Sequence, residues 1–76
     1  MTPKALQRSV ARALKSNREA AGLTQANVAR KLKMARSNLC AIENGRRQAS
    51  ICTLARIANA IGCVVHVHLL LKKEEK

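Results

Sequence analysis

Residues 24–45 constrain the fold most, because two short apolar repeats there are separated by only three residues. Thr24 has the short side-chain oxygen that caps the start of a helix. Residues 33–35 interrupt the helical spacing, and Asn44 and Gly45 end the second repeat because both tolerate the left-handed conformation of a helix end. The apolar positions of the two repeats are Val28, Ala29, Leu32, Leu39 and Ile42. The pattern predicts two short helices joined by a tight turn.

Several of these residues together resemble the signature of the phage Cro and repressor (XRE) family of helix-turn-helix proteins. The positions that carry the resemblance are Thr24, Gln25, Val28, Ala29, Leu32, Leu39, Glu43, Asn44 and Gly45. The similarity extends from about Leu14 to Ile61, so it covers a whole domain rather than an isolated motif. It implies a mainly α, four-helix lambda-repressor-like domain whose second motif helix enters the major groove of double-stranded DNA.

Two residues depart from the family pattern at the predicted turn. Lys33 lies where the family usually has Gly, and Ala35 lies where the family usually caps the recognition helix with Ser or Thr. Each departure is expected to weaken the local geometry by about 1 kcal/mol. The fold should tolerate both.

Helix signals on either side of the motif complete the predicted domain, which spans residues 1–63. The predicted helices are 3–21, 25–32, 36–44 and 51–61. The first helix carries an apolar stripe and the last helix a second one, and both are expected to face the core. These stripes are Leu6, Val10, Ala13 and Leu14, and then Ile51, Leu54, Ile57, Ala58 and Ile61.

Basic residues recur along the predicted opposite face of the first helix, namely Lys4, Arg8, Arg12, Lys15 and Arg18. Two interpretations remain open at this point. The face is either an ordinary solvated surface, or it adds attraction to DNA phosphate or to an acidic partner.

The charge of the chain is strongly one-sided, with fifteen Lys and Arg against four Glu and a net charge of +11. Such an excess on one small domain is typical of a protein with a polyanionic partner. The chain has no Phe, Tyr or Trp, which argues against recognition of single strands or RNA, since that depends on aromatic stacking. A chain of 76 residues has a marginal core, so dimerisation would stabilise it.

The family resemblance also implies roles for individual residues. Base edges would be contacted by Arg36, Ser37, Asn38 and Ala41, the last through its methyl group alone. DNA phosphates would be held by Gln25, Asn44, Arg46 and Arg47. Arg18 and Glu43 would form a structural ion pair that joins the first helix to the recognition helix.

Residues 64–71 are β-branched and partly alternating, which predicts a strand. One face carries Val65, Val67, Leu69 and Leu71, and the other carries His66 and His68. A single strand cannot satisfy its own backbone hydrogen bonds, so we expect it to pair with the same strand of a second copy and form a homodimer. Residues 72–76 form a charged tail.

Other chemistry receives less support from the sequence. The chain has no Asp, only four Glu and no Gly-rich phosphate loop, so we expect neither an enzyme nor a cofactor. Cys63, His66 and His68 could ligate zinc, but the histidines also suit an exposed strand face. Cys40 could act as a redox switch or simply be a small packing residue. No secretory signal or long apolar span occurs, so we expect a cytoplasmic protein with no membrane association. The family resemblance implies a prokaryotic or phage origin.

These features predict a homodimeric, sequence-specific DNA-binding regulator that represses transcription from a palindromic operator. The alternative is an antitoxin whose main role is to bind and neutralise a partner toxin protein, with control of its own operon secondary.

Overall fold

Four helices form the described part of the protein, residues 2–64 of a computed structural model. They are α1 (Pro3–Ala20), α2 (Gln25–Leu32), α3 (Arg36–Glu43) and α4 (Ile51–Ala60). The mainly helical prediction is confirmed, and the predicted bounds differ by one residue at the ends of α1, α3 and α4. The predicted strand pairing and its apolar residues Val65, Val67, Leu69 and Leu71 lie outside the described residues, as do His66 and His68.

Side-chain oxygens begin three of the four helices. The Thr2 hydroxyl accepts from the backbone N–H of Ala5, and the Ser50 hydroxyl accepts from that of Thr53, each at 3.1 Å. Thr24 and Asn27 form a reciprocal capping box. The fourth helix, α3, begins after Ala35, and no side chain caps it.

All four helices end in the same way, with a residue at positive φ just beyond the last turn. The next backbone N–H then donates to the carbonyl five positions earlier, a Schellman arrangement that satisfies the last free carbonyls. Three of these positions are glycine, and the fourth is Lys33, with φ of 56°. Lys33, which lies where the family usually has Gly, therefore adopts the left-handed backbone conformation itself.

The core lies between α2 and its two neighbours. Helix α2 packs against both α3 and α4, and α1 packs against α3. The most deeply buried side chains are Val28, Leu39 and Ile57, one from each of α2, α3 and α4. The motif helices are thus fixed on their inner sides by aliphatic packing, and their outer sides remain available.

The predicted apolar stripes of α1 and α4 are wrong in part. Ala13 is exposed, because the buried face of α1 follows Ala11, Leu14 and Arg18 at helical spacing. Leu6 is 54% exposed and Ile51 is 63% exposed, since each lies in the first turns of its helix, beyond the packed centre. Arg18 is buried on the same side of α1 as Leu14, so it does not lie with the exposed cations of that helix.

Candidate nucleic-acid interface

The connection between α2 and α3 is set by the left-handed turn at Lys33. The backbone N–H of Met34 donates to the carbonyl of Ala29 at 2.9 Å, which closes the end of α2 and redirects the chain. Ala35 is extended, and α3 begins at Arg36. The two helices are therefore joined by three residues, as the spacing predicts.

Arg18 and Glu43 form a buried bidentate ion pair. Nε of Arg18 donates to Oε2 of Glu43 at 2.7 Å, and Nη2 donates to Oε1 at 3.0 Å. The two side chains are only 8% and 1% exposed. The remaining guanidinium nitrogen, Nη1, donates to the carbonyl of Leu23 at 2.7 Å. The pair therefore joins α1 both to the end of α3 and to the segment that precedes α2.

The hydrogen bonds to Glu43 raise the pKa of Arg18, and burial acts in the opposite direction. The guanidinium consequently stays charged at any pH near neutrality.

Gln25 lies at the start of α2 and is a third member of this network. Its amide nitrogen donates to Oε1 of Glu43 at 3.1 Å. Sequence reasoning assigned Gln25 to a DNA phosphate and missed this contact. The expected pairing of Glu43 with Arg18 could have indicated such a contact, since a carboxylate has more acceptor sites than one guanidinium fills.

The side of α3 opposite the core presents the residues expected to contact bases. Arg36 and Ser37 are exposed, whereas Asn38 and Ala41 are half-buried. Cys40 is half-buried on the same helix, and its Sγ lies 3.4 Å from the amide nitrogen of Asn44. The first turn of α3 is therefore the most accessible part of the helix.

The turn that follows α3 brings together the remaining expected phosphate contacts. Asn44, Arg46 and Arg47 are all exposed there. The backbone N–H groups of Arg46 and Arg47 donate to the carbonyl of Ala41. Gln7 holds the turn from the other side, because its amide nitrogen donates to the carbonyl of Gly45 at 2.6 Å. Sequence reasoning did not identify Gln7.

The side chain of Arg47 contacts α3, because its Nη1 donates to Oδ1 of Asn38. Arginine has no acceptor, so the amide oxygen of Asn38 must be the atom that faces it. The amide nitrogen of Asn38 is thereby directed away from Arg47. Arg47, which is expected to hold a phosphate, thus orients Asn38, which is expected to contact a base.

Acidic groups are almost missing from this side of the molecule. Residues 2–64 contain two acids, of which Glu43 is engaged in the ion pair and Glu19 lies near the end of α1. The exposed cations Arg36, Arg46 and Arg47 therefore give the outer face of α3 and the following turn a positive potential.

Two helices joined by a three-residue turn, with the second exposed along one side and flanked by cations, form a helix-turn-helix. The chain belongs to the helix-turn-helix domain family, whose model matches residues 9–70. The comparisons with curated proteins and with solved structures found no match. Proteins of this family are typically DNA-binding and non-enzymatic. None of the helices between residues 2 and 64 has the length and apolar character needed to cross a membrane.

Proposed function

We propose that the protein is a sequence-specific regulator of transcription, a repressor of the Cro and phage-repressor (XRE) type. It binds double-stranded DNA as a homodimer on a palindromic operator. The observation that carries the proposal is the exposed first turn of α3, flanked by cations and without a nearby exposed acid.

Arg36 and Ser37 are the residues best placed for base recognition. Both are exposed at the leading end of α3, and the first residues of a recognition helix are the ones that reach base edges. Arginine donates two parallel hydrogen bonds to O6 and N7 of guanine. Asn38 and Ala41 lie further along the helix and complete the recognised sequence.

The turn after α3 supplies the phosphate contacts. Arg46 and Asn44 are exposed and held by a turn that α1 braces through Gln7. Gln25 contributes at the start of α2, where free backbone N–H groups favour an anion. Because phosphate contacts are independent of sequence, this group sets the affinity and orientation of the domain.

Selection of bound sites from a random pool of duplex DNA tests the proposal. The wild-type protein should enrich one palindromic sequence, with half-sites about one DNA turn apart, roughly 34 Å. Recovery of unselected DNA would leave only non-specific binding and would contradict the proposal.

Two substitutions separate the roles of the cations. Arg36→Ala should lose about 1–3 kcal/mol on the selected site and relax the preference at one base pair. Arg46→Ala should weaken binding to every sequence and reduce the salt slope by about one. Lys15→Ala removes an exposed cation from the basic face of α1. It should change neither property if that face is only solvated, and it should reduce the salt slope without changing base preference if the face attracts DNA phosphate. A uniform loss in Arg36→Ala would contradict its assignment.

The homodimer is proposed from the sequence of residues 64–71. Antiparallel pairing with the same segment of a second copy would satisfy the backbone groups of both strands and place Val65, Val67, Leu69 and Leu71 on one face. Val67→Pro removes a backbone donor from that pairing. Sedimentation should show a dimeric wild type and a dissociated variant. A monomeric wild type at micromolar concentration, or a variant that stays dimeric, would contradict the dimer.

A further inference from the structure

An apolar groove lies between the first half of α1 and the first half of α4, and its apolar lining is not used by the proposed DNA interface. Its volume is about 210 Å³. The apolar lining includes Leu6, Val10, Leu14, Ala49, Ile51 and Leu54. Leu6 and Ile51 are both more than half exposed. We call this feature the α1–α4 groove.

The size of the groove indicates what can occupy it. Sites for small molecules usually enclose about 300–1,000 Å³, so this groove is too small for most such ligands. It is large enough for a few aliphatic side chains presented by a helix or an extended segment. Grooves of this kind typically receive the apolar face of an amphipathic helix.

The charge around the groove indicates the chemistry of the occupant. Arg47 lines the groove, and the side chain of Arg8 on α1 lies against Gly45, in the turn that carries Arg47. Neither acid of residues 2–64 is available to balance these cations, because Glu43 is paired with Arg18 and Glu19 lies near the opposite end of α1. The occupant should therefore carry carboxylates beside its apolar side chains.

The same charges argue against two other occupants. A second copy that placed its own groove against this one would bring two sets of cations together, which like-charge repulsion opposes. DNA offers phosphates, but its apolar groups are limited to thymine methyls and sugar carbons, which are too few to fill a groove lined by Leu6 and Ile51.

We propose that the α1–α4 groove is a docking site for another protein, which inserts an amphipathic helix with aliphatic side chains flanked by carboxylates. Arg47 belongs both to this groove and to the turn beside α3. A carboxylate that binds Arg47 competes with Asn38 for the guanidinium. Docking is therefore linked to the orientation of Asn38.

A fluorescein-labelled helical peptide of about 14 residues tests the site, with Leu at every third or fourth position and Glu between. Anisotropy should show saturable binding to the full chain. Leu6→Ser and Ile51→Ser should each weaken it about tenfold, because each removes about 1.5 kcal/mol of apolar contact. Ala13→Ser is the control, since Ala13 is exposed on α1 and does not line the groove. It should bind as the wild type does.

A second peptide, with Ser in place of Leu, reports attraction to net charge alone and should bind much more weakly. Circular dichroism verifies that each variant is folded. Equal binding of the two peptides, or no effect of Leu6→Ser and Ile51→Ser, would overturn the proposal in favour of charge attraction.

Two further outcomes would assign the groove differently. If the Leu-containing peptide fails to bind the wild type and Leu6→Ser dissociates the dimer, a second copy covers the groove. If the peptide binds only after Leu69→Ser and Leu71→Ser are introduced, the C-terminal segment of this chain covers it. Either result would overturn docking of a separate acidic protein.

Discussion

Disruption of the Arg18–Glu43 pair should be the most damaging change to the stability of the domain. Arg18→Ala removes two of the three hydrogen bonds that Glu43 accepts and leaves its carboxylate, 1% exposed, with Gln25 alone. It also removes the donor to the Leu23 carbonyl. Breaking a buried pair from one side costs about 3–5 kcal/mol.

That cost is a large part of the total stability. A domain of 76 residues is stabilised by only about 4–11 kcal/mol. Glu43→Ala should cost a similar amount, because Arg18 is then buried with one carbonyl as its partner. The double variant should be little worse than either single one, which makes the coupling energy nearly as large as one single loss, about 3–5 kcal/mol.

Urea unfolding followed by circular dichroism measures these differences, at one protein concentration because the proposed dimerisation would add to the apparent stability. Arg12→Ala, which removes an exposed arginine from the same helix, is the control and should change the free energy of unfolding by less than about 0.5 kcal/mol. Small, additive losses in Arg18→Ala and Glu43→Ala would refute the reasoning.

The sign of the pKa shift sets the pH dependence of this effect. Because the pair raises the pKa of Arg18, the contribution of the guanidinium is complete below the ordinary arginine pKa. It is lost only as the pH rises through the raised value. The loss in Arg18→Ala should therefore be the same at about pH 6.5 and pH 9.

Three further predictions concern the motif. Ala35→Ser supplies the missing cap of α3 and should raise the free energy of unfolding by about 0.5–2 kcal/mol; an unchanged urea midpoint would contradict this. Lys33→Gly removes the strain of a lysine in the left-handed conformation. It should raise the free energy of unfolding by up to about 1 kcal/mol, after the greater flexibility of glycine in the unfolded chain is subtracted. A loss of stability would show that Lys33 is not strained. Arg47→Ala removes the donor to the side-chain carbonyl of Asn38, so site selection should show a wider base preference at one position. A uniform loss of affinity on all sequences would mean that Arg47 contacts phosphate only.

The helices could be predicted from the sequence because their ends are set by local chemistry. Thr24 and Ser50 cap helices with their own hydroxyls, and Gly62 provides the left-handed residue that ends α4. Such signals involve residues only a few positions apart. The two departures at Lys33 and Ala35 were visible for the same reason.

The family resemblance implied the Arg18–Glu43 pair, but the contacts of Gln25 and Gln7 and the groove could not be predicted from local signals, because they depend on how helices distant in sequence meet. Gln25 reaches Glu43 across 18 positions, and Gln7 reaches Gly45 across 38. Periodicity identified Leu6 and Ile51 as apolar but could not show that the packing ends before it reaches them. The apolar spacing also placed Ala13 on the core-facing side of α1, although the residue that is buried there is Ala11.

The order of helix packing has a consequence for how the domain opens. The extensive contacts run from α1 to α3, from α3 to α2 and from α2 to α4, so the helices form a line whose two ends face each other across the groove. An end helix of such a line can detach while the others remain packed, and its amides should exchange with solvent earlier than those of α2. A helix bound between α1 and α4 would close the line into a ring. Hydrogen exchange in α4 should then slow toward the rate of α2, because the two ends could no longer separate without releasing the partner.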